Sequence, residues 1–129
     1  MKCPPSDTIW PLLIMGVLFF VSGQTHVAAP SFSFSPDKIA HLIVFGMLGT
    51  SLIRLPCFRD RGWSGALAAA SLATLYGVMD EIRQSFTPGR SVEMLDAIAD
   101  ALGAFIAVFL YQGFEGYRAF LEWSKKSSA

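Results

Sequence analysis

Four apolar stretches, each near the length that crosses a lipid bilayer, constrain this chain more than any other feature. Inside hydrocarbon no water is available to the backbone, so a spanning segment must satisfy its own N–H and C=O groups, which a helix does. The stretches run over about 9–23 (with room to reach Ala29), 36–55, 63–79 and 94–114. Crossing takes roughly 20 residues, and the first stretch is the shortest. Turn-rich breaks separate them: Ala29-Pro30-Ser31 and Ser35-Pro36, then Pro56 to Gly62, then Thr87-Pro88-Gly89-Arg90-Ser91. Composition agrees, since only 16% of residues are charged where a soluble domain carries about 25%. The expectation is a single all-α domain over residues 1–129, an integral membrane bundle of four transmembrane helices.

The first stretch has a second reading. Lys2, an apolar core and Val27-Ala28-Ala29 resemble a cleaved signal peptide. Asp7 in the leading segment and Pro30 after the cleavage position favour a retained helix. The net charge of zero gives no footprint for nucleic acid. Cys3 and Cys57 are too few and too far apart for a disulfide framework or a CxxC knuckle, and are expected to be incidental.

Orientation follows from the bias of Lys and Arg toward the cytoplasmic side. With the N-terminus inside, Lys2, Arg54, Arg59, Arg61, Arg118, Lys125 and Lys126 lie in the cytoplasm, and only Lys38, Arg83 and Arg90 lie outside. The expectation is a multi-pass membrane protein with both termini cytoplasmic. The acids run the other way. Asp37, Asp80, Glu81, Glu93, Asp96 and Asp100 all fall on the outer side, brought there by two separate loops.

Each of these residues has a bland and a functional reading. Ser35 and Pro36 suit a helix start, where Asp37 in the first turn is favoured by the dipole. His41 is one turn deeper on the same face, and a histidine inside an apolar helix needs a partner, either Asp37 or a group on a facing helix. Asp80 and Glu81 at the end of a third helix stopping near Met79 would oppose its dipole. Arg83, Arg90, a metal or a cationic ligand group would offset them; a helix continuing to Phe86 would weaken that argument. Asp80 and Gln84 share a face with Ala73 and Gly77, small above and polar below, which suits close helix packing. With a fourth helix beginning near Ser91, Glu93, Asp96, Asp100, Gly103 and Ala107 form one stripe. Asp100 then lies about 9 Å along the helix from the interface. An acid there faces a bundle interior or a water-filled cavity. Arg90, in its tight turn, either pairs with a neighbouring acid or grips a phosphate or carboxylate in a forked geometry.

The pattern Asp37-Lys38-x-x-His41 with Phe45 resembles the second-helix motif of the VanZ-like membrane family, named for a teicoplanin-resistance protein. Tyr76-Gly77-x-x-Asp80-Glu81-x-x-Gln84-x-Phe86-x-Pro88-Gly89-Arg90, then Asp96-x-x-x-Asp100-x-x-Gly103, resembles its main signature. The match covers about Asp37 to Phe109, and the four-helix layout agrees over the whole chain. The resemblance implies a bacterial envelope protein of the inner (cytoplasmic) membrane, in a family whose founding member is linked to glycopeptide resistance, and implies no particular reaction.

Three functional classes follow. In the first, an outer-face pocket of Asp37, Lys38, His41, Asp80, Glu81, Gln84, Arg90, Asp96 and Asp100 binds a lipid head group, an envelope precursor or a glycopeptide target. In the second, Asp80, Glu81, Asp96 and Asp100 hold a divalent cation for lipid-phosphate chemistry, with His41 and Asp100 catalytic; four scattered carboxylates make no recognised metal motif. The third is transport or proton relay through intramembrane Asp and His, with a pore formed only by an oligomer. The residues assign no cofactor and leave open whether the chain is an enzyme. Membrane lipids are the expected partners.

Overall fold

A computed structural model describes residue 3 and residues 5–23, 36–89 and 92–127, without the side chains of residues 36, 37 and 124–126. Among the described residues every regular element is a helix and there is no strand. The helices are α1 (Pro5–Ser22), α2 (Pro36–Ile53), α3 (Pro56–Arg59), α4 (Gly62–Ser85), α5 (Met94–Gly113) and α6 (Glu115–Ser127). Two of them, α1 and α5, are long and apolar enough to cross a membrane. The apolar part of α2, Lys38–Ile53, is shorter.

The core is a three-helix contact of α2, α4 and α5. Small residues bring the axes together: Ala66, Ala69, Ala70 and Ala73 of α4 and Ala104 of α5 are wholly buried. Phe45, Leu48, Ile53, Val108 and Tyr111 fill the remaining space. At the α2–α5 crossing, a Cβ added to Gly103 would stand 2.1 Å from the Leu42 carbonyl oxygen, so only glycine allows the approach. Helix association in lipid rests on such packing, because tails and side chains are equally apolar.

Helix α1 is peripheral. Pro11 is its one buried residue among those described, and Ile9, Leu12, Val17 and Phe20 are exposed. Tyr76 Oη donates to the Met15 carbonyl, which attaches α1 to α4. The second attachment corrects the expectation for the cysteines. Cys3 and Cys57 form a disulfide, with Cα atoms 5.5 Å apart, between the residues leading into α1 and the short α3. Linear spacing hides the pair because the turn after α2 folds back beside the start of α1. Cys3→Ser is expected to cost about 2–4 kcal/mol, read as a lower unfolding midpoint and easier proteolysis of the N-terminal segment.

The helix layout differs from expectation in three places. Helix α4 runs to Ser85 instead of stopping near Met79, so Asp80 and Glu81 lie inside its last turns. Gln84 and Arg83, both good helix formers, carry the helix on, and Asp80 bonds both. The short α3 and the helix α6 are additional to the four expected segments. Between α4 and α5, Gly89 has φ of 85°, the left-handed conformation that the Pro88-Gly89 turn requires.

Candidate functional site

The N-termini of α2 and α5 and the C-terminal turns of α4 meet at one end of the bundle. Two helix N-termini there favour negative charge and one C-terminus opposes it. Asp96 lies in the first turn of α5, where the dipole supports it. Asp80 lies near the C-terminus of α4, where Arg83 counters the dipole from 2.9 Å.

Two linked groups of side chains occupy this end. In the first, the buried Lys38 of α2 stands 3.0 Å from Glu93, just before α5, and 3.3 Å from Asp96 of α5. His41, one turn deeper, meets Asp100 with Nδ1 2.8 Å from Oδ1. Asp100 is 2% exposed. The His41 ring lies parallel to Phe45 on the same helix face, and Phe45 leads on to Tyr76. Glu81 of α4 is also buried and accepts from the Glu93 backbone N–H at 3.4 Å, a long bond.

The second group is centred on Asp80. Gln84 Nε2 donates to Asp80 Oδ2 at 3.0 Å, and Ser22 of α1 donates to Oδ1 at 2.8 Å. The Arg83 guanidinium donates to Asp80 and to Ser22, and sits 4.2 Å from the centre of the Phe19 ring. This group ties the far end of α1 to α4.

Acceptors outnumber donors in the first group. Asp96 Oδ1 is buried and takes no hydrogen bond among the described residues. Lys38 Nζ approaches it at 3.3 Å as a charge contact, outside hydrogen-bond geometry. The Lys38 charge offsets part of the cost of burying this oxygen, and a ligand donor with good geometry would add the hydrogen bond that the ammonium does not make. Among the described residues, no three His, Cys, Asp or Glu side chains converge closely enough to hold a metal ion. The His41–Asp100 contact is a carboxylate-oriented imidazole, suited to holding or passing a proton.

The structure thus brings together Lys38, His41, Glu81, Asp96 and Asp100, with Asp80 and Gln84 in the adjoining group. The Asp37 side chain and the whole of Arg90 lie outside the described residues. His41 meets an acid on the facing helix, Asp100. Glu93 falls on the acidic stripe of the sequence but not in its ligand set, because its opposition to Lys38 depends on how two helices are set in register. Ser22 carries no signal in the sequence, being one hydroxyl in an apolar stretch.

Residues 8–115 match the model of the VanZ/LLP1 family. No curated protein and no solved structure matches the chain.

Proposed function

The chain belongs to the VanZ/LLP1 family, and on that premise we propose that it is a multi-pass membrane protein spanning the bilayer with α1, α2, α4 and α5 and binding a polar head group at its acid-rich end. The ligand class is a membrane lipid or a lipid-linked envelope precursor. The observation that carries the reading is Asp96 Oδ1, a buried acceptor without a hydrogen bond among the described residues, beside Glu81 with its single long one. Ionisable residues inside membrane segments mark sites more often than they serve structure. A head group rich in O–H or N–H donors fits this acceptor excess better than a bare phosphate does. Lys38, held between Glu93 and Asp96, organises the acids.

The positive-inside bias supports an orientation with both termini cytoplasmic and the acid cluster outside. From there, holding an envelope precursor would alter its display, a route to changed susceptibility to a glycopeptide such as teicoplanin.

The test is retention by detergent-purified protein of a lipid whose head group carries N–H donors, phosphatidylethanolamine, against polyprenyl phosphate, together with phosphate release from polyprenyl phosphates and pyrophosphates with and without Mg. Binding predicts co-purifying lipid that falls at least about tenfold in Asp96→Ala, with no product from the intact protein; a tenfold loss corresponds to one hydrogen bond to a charged group. Retention unchanged in that variant would overturn the reading. The His41–Asp100 contact favours one rival, proton-linked chemistry. Phosphate release abolished by both His41→Ala and Asp100→Ala in folded protein would establish a lipid-phosphate hydrolase instead.

A further inference from the structure

A cavity lies toward the opposite end of the bundle from the acids. Its volume is about 430 Å³, within the range of small-molecule pockets. Trp10 and Ile14 of α1, Ile43 and Met47 of α2, Ala107 of α5 and Leu121 of α6 form apolar walls, and Arg54 lies at its edge. Trp10, Ile43 and Met47 are more than half exposed, so the mouth opens sideways, where lipid would be.

Charge identifies what would enter. The described segments gathered at this end, residues 5–7, 54–61 and 115–126, hold six of the ten Lys and Arg in their sequence but four of the ten Asp and Glu, and Arg54 lines the cavity itself. The disulfide and the Arg54–Glu122 pair, 3.2 Å apart, bring those segments together. Arg54 donates through Nε to Glu122 and through Nη2 to the Leu121 carbonyl, and Nη1 donates to none of the described residues. A guanidinium fixed on two sides presents its third nitrogen in a set direction, which suits a phosphate oxygen.

Helix α6 supplies the floor. Tyr117, Phe120 and Trp123 are exposed on one face at 39%, 70% and 69%, while Arg118 and Glu122 lie on the other. That is the pattern of a helix resting in the head-group plane, with aromatic rings at the boundary. With α6 in that plane, the groove would lie just inside the acyl region.

We propose that this groove is a binding site for an anionic phospholipid, with one acyl chain between α1 and α2 and the phosphate on Arg54. The proposal rests on the membrane reading but not on the head-group site at the other end, and the two can fail separately.

The experiment is native mass spectrometry of delipidated full-length protein titrated with phosphatidylglycerol or phosphatidylcholine. The intact protein is expected to retain phosphatidylglycerol roughly fivefold better, the size of one basic residue's contribution at a lipid surface. Arg54→Gln is expected to remove that preference. Met47→Trp, on the exposed rim, and Ala107→Phe, in the wall, are expected to lower retention of both lipids. Glu122→Gln, which loosens α6 but leaves the cation, is expected to keep the preference. Equal retention of the two lipids by the intact protein overturns the proposal. So does a preference that survives Arg54→Gln, wild-type retention in both groove-filling variants, or loss in Glu122→Gln as complete as in Arg54→Gln.

Discussion

Gly103→Ala is expected to unseat α5 from α2 and to leave little folded protein. The new methyl would lie 2.1 Å from the Leu42 carbonyl oxygen and 2.9 Å from its carbon. A flexible side chain could swing away from such a contact, but a carbonyl inside α2 cannot move without its helix. Overpacking a tight interface costs about 1–3 kcal/mol where neighbours can adjust, and more where they cannot. The expected loss is therefore about 3 kcal/mol or more, at the upper end of that range. Both sides of the acid cluster are carried by these two helices, so ligand retention would be lost with the fold. Thermal unfolding in detergent measures the effect. Gly16→Ala is the control: nothing lies within 4 Å of a Cβ there, and alanine is the better helix former. A Gly103→Ala midpoint equal to that of Gly16→Ala would mean that the close approach is not what holds α5.

His41→Ala is the second large effect. It strips the partner from Asp100, a carboxylate 2% exposed whose Oδ1 stands 2.8 Å from the imidazole. Removing one member of a buried pair costs about 3–5 kcal/mol. Here Asp100 is buried and the imidazole side chain is 23% exposed, so the low end, about 3 kcal/mol, is expected, because the carboxyl left behind keeps its desolvation penalty. Removing both is cheaper than the sum of the single changes. The double variant His41→Ala/Asp100→Ala is expected to regain at least about 1 kcal/mol relative to additivity, within the range found for contacting residues. Unfolding midpoints of the two single variants and the double complete the cycle. Strict additivity would show that the two side chains are neighbours without being partners. Asp100→Asn, which keeps a hydrogen bond and the volume, is expected to lose much less than Asp100→Ala.

Much of this site is legible in the sequence alone, for one physical reason: an ionisable side chain in an apolar helix is costly enough to demand an explanation. Asp100 and His41 stand out on that ground, and the stripe of Asp96, Asp100 and Gly103 follows from helical periodicity. Which acid meets which base is not legible, because Asp37 and an acid on a facing helix are equally good partners for His41 until two helices are set side by side. Glu93 and Ser22 belong to the same difficulty. Their contacts cross between helices, and linear spacing carries no register between separate segments.

The helix boundaries show a different limit. Hydropathy falls after Met79, which suggests a helix end there, yet Arg83 and Gln84 continue α4 by bonding Asp80. Helix α6 does carry a signal: Tyr117, Phe120 and Leu121 recur at helical spacing, with Arg118 and Glu122 interleaved. It is amphipathic and not wholly apolar, so a search for spanning segments passes over it. The motif resemblance and the family membership agree with each other. Neither adds a reaction to what the contacts at the two ends already argue.

The disulfide has a consequence for cell biology. Its two sulfurs lie at the basic end of the bundle, the end that the charge bias assigns to the cytoplasm. Cytoplasmic thiols are held reduced. An inward-facing basic end therefore implies that Cys3 and Cys57 are thiols in a growing cell, and that the start of α1 is covalently fastened only under oxidation, its middle and far end being held to α4 by Tyr76 and the Asp80 group. An outward-facing basic end implies a permanent bond formed during export. Trapping cells with a membrane-permeant thiol reagent before lysis, then counting blocked cysteines, reports which way up the protein sits.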